Sequence, residues 1–337
     1  MKQFIALALM ASLTSCGSHQ QNIEDANPME FANTITASEM KEHLTTFASD
    51  EFEGRNTGEP GQKKAAEYIT SEYKRLNIPA PKSMDSYYQV IPTEYFKNKL
   101  KASENILAFI EGSEKPEEVI VISSHYDHVG VDKEGNIYNG ADDGGSGPIA
   151  ILEIAEAFAE AKKAGYTPKR SILLLHITGE EKGLLGSKYY TQNPVFPLEN
   201  TVANLNMDMI GRIDEAHKGN DNYIYLIGSD MLSTELHNIS EEVNQKYMNM
   251  ELDYTYNDEN DPNRFYYRSD HYNFAKNNIP VIFYFNGVHA DYHKPTDTAD
   301  KIAYTAMEKR AKLAFLTAWE LANRDGRIVV DKTSDKK

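Results

Sequence analysis

Four short apolar runs in this chain each lead, directly or through a brief loop, to histidines and carboxylates, and this pattern restricts the fold more than any other feature. They are Val119-Ile-Val-Ile-Ser-Ser124 before His125, Asp127 and His128, Ser171-Ile-Leu-Leu-Leu-His-Ile177 before Glu180 and Glu181, Ala203-Asn-Leu-Asn-Met207 before Asp208, and Pro280-Val-Ile-Phe-Tyr-Phe285 before Asp291 and His293. Short, continuous and without the alternation of a half-wetted strand, they suit parallel strands covered on both faces. Together with the helical patterns at 37–47, 63–76 and 147–164, they predict an α/β fold with a mixed, mostly parallel central sheet and helices on both faces. In open sheets of this kind ligands bind beyond the carboxyl ends of the strands. The polar residues should therefore gather at one rim.

The chemistry they could support follows from their types. Of the adjacent Glu180 and Glu181, one could bind a metal while its neighbour takes a proton from the attacking water. An isolated pair would read as a solvated helix N-terminus, where acidic residues are favourable. Here the pair is joined by the other loops and by Gly140-Ala-Asp-Asp-Gly-Gly-Ser-Gly147, just before a helical pattern. Imidazole and carboxylate are zinc ligands, and a carboxylate shared between two ions suits a two-metal hydrolase.

In order, His-x-Asp at 125–127, Gly-Ala-Asp-Asp-x-x-Ser-Gly at 140–147, Gly-Glu-Glu-x-Gly-Leu-Leu-Gly-Ser at 179–187, Asn-x-Asp at 206–208 and the late His293 resemble the co-catalytic di-zinc aminopeptidases of the bacterial leucyl aminopeptidase type. That family, with its zinc-dependent exopeptidase fold, also contains glutamate carboxypeptidases and glutaminyl cyclases. The resemblance runs from about Leu44 to Leu321 and includes Phe47-Ala-Ser-Asp-Glu-Phe-Glu-Gly54 and Ser269-Asp-His271. It implies two zinc ions, with cobalt or manganese as alternatives. His125 and Asp208 would hold one, Glu181 and His293 the other, and Asp143, the fourth residue of Gly-Ala-x-Asp, would bridge them. Glu180 would be the general base, and the Asp127 carboxylate would hydrogen-bond the free nitrogen of His125. Tyr292 stands where some relatives carry a tyrosine that polarises the scissile carbonyl and others an aliphatic residue. Relatives also have a cis peptide after the bridging aspartate, here Asp143-Gly144. The implied activity is aminopeptidase action on peptides with a free N-terminus. The alternatives are a single-zinc glutaminyl cyclase, which Gly183-Leu-Leu-Gly-Ser187 disfavours, and a non-catalytic envelope binding protein on the same scaffold.

Other histidines read more plainly. His176, inside its apolar run, is expected to be a hydrogen-bonded core residue. His128 could line the site, and His271 should support the loop entering the last strand. A net charge of −16 over 337 residues makes nucleic acid a poor partner.

Lys2 and the apolar stretch 4–13 form an export signal too short to span a bilayer. Leu13-Thr-Ser-Cys16 resembles the bacterial lipobox, which implies a lipid anchor on Cys16, the only cysteine, and a periplasm-facing lipoprotein of the cell envelope. The expected organisation is a signal peptide at 1–15, a polar tether at 16–33, a peptidase domain at 34–330 and a charged tail at 331–337. The segment 254–268, rich in Tyr, Asn and Asp, is either a substrate-facing loop or a cover for the domain. The oligomeric state is not encoded in any pattern we recognise.

Overall fold

The computed structural model describes residues 21, 23–258 and 260–332. The expected export signal, Cys16 and residues 333–337 lie outside them. Strands β1 (Tyr88–Ile91), β2 (Ser103–Ile110), β3 (Lys115–His125), β6 (Arg170–Ile177), β7 (Thr201–Met207), β8 (Tyr223–Ile227), β9 (Glu251–Asp253) and β10 (Val281–Phe285) form one sheet, while β4 (Gly130–Val131) and β5 (Ile137–Tyr138) make a small hairpin. The order is β1-β2-β6-β3-β7-β10-β8-β9. The centre, β6-β3-β7-β10, is parallel throughout, with antiparallel β1, β2 and β8 toward the edges.

All four polar-ended runs are thus adjacent central strands. Successive residues of β6 enter different cores: Ile172 and Leu174 pack on one face, Leu173 and Leu175 on the other. An uninterrupted apolar run results from burial on both sides.

Helices cover the sheet: α1 (Pro28–Ala32), α2 (Ala37–Phe47), α3 (Pro60–Arg75), α4 (Gly147–Lys163), α5 (Leu185–Gln192), α6 (Thr234–Val243), α7 (His271–Ala275) and α8 (Tyr304–Asn323). Helix α2 begins where the Thr36 hydroxyl accepts the Glu39 N–H. The apolar stripe Ala65, Ala66, Ile69 and Tyr73 of α3 is buried. The Tyr73 hydroxyl meets His176 Nε2 at 2.5 Å, giving that core histidine its partner. The tether is shorter than expected, because α1 falls inside 16–33 and stacks Phe31 on Trp319 of α8 at 5.6 Å. Five residues are too few to show a helical period, so this anchor is invisible as a pattern.

Two asparagines in β7 fit a doubly covered strand because their side chains hydrogen-bond to buried neighbours. Asn204 donates to Ser123 Oγ (2.8 Å), which donates to Asn206 Oδ1 (2.7 Å), and Asn206 Nδ2 donates to Ser269 Oγ (2.9 Å). Ser269 then donates to Asp208 Oδ2 at 2.6 Å. This buried polar ladder ends at the rim.

Glu153 of α4 is a carboxylate buried in the helical layer, accepting the Thr36 N–H at 3.3 Å and facing His43 Nε2 at 4.0 Å. Burial, with Glu39 and Glu156 adding, pushes its carboxyl from an ordinary 4.5 to about 8, against the Thr36 N–H and Arg75. A carboxyl raised on folding disfavours the native state progressively as pH climbs between those values. Glu153→Gln should therefore match the parent at pH 4 and be more stable at pH 8.5 by on the order of 1–3 kcal/mol in urea unfolding.

Candidate metal centre

The carboxyl rim of the parallel strands delivers each polar group from a different backbone segment. His125 ends β3, Asp208 follows β7, and Glu180 and Glu181 follow β6 across Thr178-Gly179. His293 lies on the loop after β10 in a left-handed conformation (φ 53°). Asp143 sits in the turn that opens α4, where Gly144 has φ +70°. A Cβ on Gly144 would run into the Asp127 carbonyl oxygen, so the turn and the His125 loop can touch only through a glycine.

Two triads share Asp143. His125 Nε2 lies 3.1 Å from Asp208 Oδ1 and 3.3 Å from Asp143 Oδ1. On the other side, His293 Nε2 is 3.0 Å from Asp143 Oδ2 and 3.2 Å from Glu181 Oε1. His128 joins this second group, its Nδ1 2.9 Å from Glu181 Oε1 and 3.7 Å from Asp143 Oδ2. The structure thus brings together all five expected ligands and adds His128, which its spacing alone could not orient.

Asp142 turns away. Its Oδ1 accepts the Gly211 N–H (2.6 Å) and the Ser146 hydroxyl (2.9 Å), and its Oδ2 faces His289 Nε2 at 3.2 Å. Of the adjacent aspartates only Asp143 faces both triads.

The electrostatics fit a cation at each triad. Burial pushes Asp143 up, but His128, His125 and His293 outweigh it and hold its carboxyl well below the ordinary range. Burial likewise lowers His293, yet Asp143 and Glu181 carry it to about 10. Asp143 Oδ2 is buried and has no hydrogen-bond partner despite imidazole nitrogens so close by. An oxygen this close to imidazole nitrogens yet not hydrogen-bonded to them is placed as a ligand of a shared centre would be, and nitrogen and carboxylate donors suit zinc.

Glu180 belongs to neither triad. It lines the same pocket as Asp143 and Asp208, and burial, reinforced by Asp208, Asp270 and Glu181 against His125, raises its carboxyl well above the ordinary range. Its backbone N–H donates to Asp127 Oδ1 (3.2 Å), while Asp127 Oδ2 accepts the Thr57 hydroxyl (2.6 Å).

Two expectations need correction here. The atom nearest His125 Nδ1 is the Asp127 carbonyl oxygen, at 3.1 Å, and the carboxylate stands off at 3.9 Å because it holds the Glu180 loop instead. The Asp143-Gly144 peptide is trans, as no cis peptide occurs among the described residues. The left-handed Gly144 makes the turn.

Met209, Phe265, Phe283, Phe285, Val288 and Tyr292 form the apolar wall of the pocket, with Arg268 beside them. Phe265 and Arg268 come from the segment 254–268, so that loop does face the site. Tyr292 stacks on His293 with ring centroids 4.0 Å apart. His271 is buried and stacks on Phe283 of β10 at 4.7 Å, supporting the last strand.

The family profile described as "Peptidase family M28" matches residues 105–318. The chain belongs to peptidase family M28. A "Probable leucine aminopeptidase" of Arthroderma benhamiae is 32% identical over 224 residues, covering 65% of this chain and 57% of that relative. The M28 chain thus spans little more than half the length of this curated relative. Among solved structures, LapB from Legionella pneumophila shares the fold with a TM-score of 0.71 and 22% identity, covering 89% of this chain and 76% of that one. A zinc aminopeptidase from Bacillus subtilis gives 0.66 and 16%, covering 90% and 99%.

A residue with no recognisable sequence signal fixes the shared aspartate of this M28 centre. Asp297 Oδ2 accepts the N–H groups of both Asp142 (3.0 Å) and Asp143 (3.2 Å), and Arg212 ties its Oδ1 (3.3 Å) to Asp291 Oδ2 (2.7 Å). Asp297→Ala orphans two buried donors at about 1–3 kcal/mol each. Equilibrium unfolding should register that loss, and zinc retained after dialysis should fall with it, whereas Asp297→Asn, which keeps an acceptor, should lose less of both.

Proposed function

We propose that this M28 member is a two-metal aminopeptidase that removes N-terminal residues from peptides. The observation that carries the reading is the Asp143 carboxylate, one oxygen toward His125 and the other toward His293 and Glu181. His125, Asp208 and Asp143 would hold one zinc, and Glu181, His293 and Asp143 the other, with cobalt or manganese also compatible with these donors. When bound, such ions polarise a peptide carbonyl and acidify the attacking water. Glu180, free of both triads, takes a proton from that water on its carboxylate and passes it to the leaving amine. The pocket's carboxylates attract the substrate ammonium, its apolar wall suits a bulky apolar first side chain, and Tyr292, which lines the pocket, would polarise the carbonyl. Two complete triads support this over a single-zinc cyclase, and Glu180 beside them supports it over a binding protein.

Substitution at the paired glutamates tests the division of roles. Glu180→Gln should keep two metals per chain while kcat on an aminoacyl reporter falls on the order of 10²–10⁴. Glu181→Gln should lose activity together with metal and recover partly in excess zinc. Full activity in Glu180→Gln, or equal metal loss in both, would sink the assignment.

We further propose, on the strength of the apolar stretch 4–13 and Leu13-Thr-Ser-Cys16, that the enzyme works in the cell envelope, anchored through lipid on Cys16. The native protein should then partition with membranes and Cys16→Ala should release it or block its processing. Equal membrane retention of the variant would exclude the anchor.

A further inference from the structure

The proposed ligand set leaves one imidazole of the second triad unused. His128 is fully buried, and its Nδ1 faces the same two oxygens, Glu181 Oε1 and Asp143 Oδ2, that His293 Nε2 faces. The four separations run from 2.9 to 3.7 Å. Ligands about 2.0–2.1 Å from a tetrahedral zinc stand roughly 3.3 Å apart, so each imidazole stands from the two carboxylates at about the spacing of ligands on one ion, and His128, Asp143 and Glu181 lie close enough together to share one. Their rings are 5.7 Å apart and inclined at 68°, approaching the carboxylates from different directions.

The His128 ring is held in place independently of any ion. Its backbone N–H donates to the Arg55 carbonyl at 3.1 Å. Gly140, at φ +53°, lies flat against the ring, and a Cβ there would strike the imidazole Cδ2. Nε2 is buried without a partner, so no hydrogen bond on that side orients the ring. Packing and the Nδ1 contact with Glu181 Oε1 at 2.9 Å set the ring's direction toward the two carboxylates.

We propose that His128 is a fourth protein ligand of the ion at Glu181, through Nδ1. His128, His293, Glu181 and Asp143 then close that site, whereas His125, Asp208 and Asp143 supply only three ligands and leave a position open. This rests on the two-metal reading above. Closed four-ligand shells are the pattern of structural zinc and three-ligand shells that of catalytic zinc. The centre is therefore asymmetric. The Glu181 site fills first and holds its ion tightly, and the His125 site exchanges its ion and receives water and substrate. Glu180 lines the pocket on that side together with Asp208.

The test uses the full-length protein stripped with a chelator. Titration with Zn²⁺ should give two resolved binding events, and X-ray absorption with one equivalent bound should show two imidazoles in the shell. Cobalt at one equivalent should give the intense visible absorption of a four-coordinate ion. His128→Asn should weaken the tighter event by more than about 100-fold, beyond the 10–100-fold typical of a residue that merely hydrogen-bonds a ligand. It should also diminish the cobalt band and leave the weaker event in place.

A single imidazole in the wild-type shell would overturn the proposal even if the variant does not fold. So would a His128→Asn protein with an unchanged cobalt spectrum, since His128 would then only donate to Glu181. A wild-type protein that binds no zinc would remove the two-metal reading itself, a different failure from one in which two ions bind and His128 holds neither.

Discussion

Crowding of buried negative charge is the constraint around which this molecule is built. Asp127, Asp142, Asp143, Asp208, Asp270 and Asp297 are all buried, with Glu180 and Glu181 alongside. Two carboxylates about 5 Å apart repel by roughly 3 kcal/mol at an effective dielectric constant near 20, so such a cluster needs built-in compensation. One source is Arg55, fully buried at the centre, whose guanidinium is lowered to about 10 by burial despite Asp143, Asp297, Asp127 and Glu181 nearby. Its hydrogen bonds do not go to those carboxylates. They go to the carbonyls of Tyr126, Phe47, Asn139 and Gly140. A guanidinium clamped on Asp143 would occupy the oxygens a metal needs. Tied to carbonyls, Arg55 supplies its charge and joins the His125 and Asp143 loops while leaving those oxygens free.

The carboxylates divide along the same line. Asp127, Asp142 and Asp297 accept backbone N–H or hydroxyl groups and hold loops, of Glu180, of Gly211 and of Asp143 respectively. Asp143 Oδ2, facing His293 and His128 across the second triad, is left without a hydrogen bond. Satisfying a buried carboxylate with fixed donors makes it a strut. Leaving it unsatisfied in the folded chain makes it a ligand, because binding a cation then relieves an existing cost.

How much of this was legible in the sequence follows from what each residue's neighbours in the chain can encode. The central strands were readable because burial on both faces writes an uninterrupted apolar run, and their ends pointed to the rim. Strand β8, Tyr223-Ile-Tyr-Leu-Ile227, is just as apolar, but it carries no rim residue and the same pattern passes it by. The choice between Asp142 and Asp143 came only from family resemblance, since two identical neighbours differ through the backbone turn and nothing else. His128 could be read only as a residue able to line the site, and Asp297 not at all, for a related reason. A histidine three residues along a loop has no fixed direction, and Asp297 acts through the backbone of residues more than 150 positions away.

The ladder through β7 shows why stability and site geometry cannot be separated in such a fold. Along the ladder each donor meets the next acceptor, from the Asn204 amide through Ser123 and Asn206 to Ser269. The sequence of donors must end on a group that only accepts, and Asp208 Oδ2 is that group. Its other oxygen, Oδ1, is thereby left facing His125. Replacing a polar member with an apolar one would orphan a buried neighbour and free the Asp208 carboxylate to rotate. The asparagines inside an otherwise apolar strand thus transmit an orientation: the ladder that begins at Asn204 ends by aiming a carboxylate at the rim.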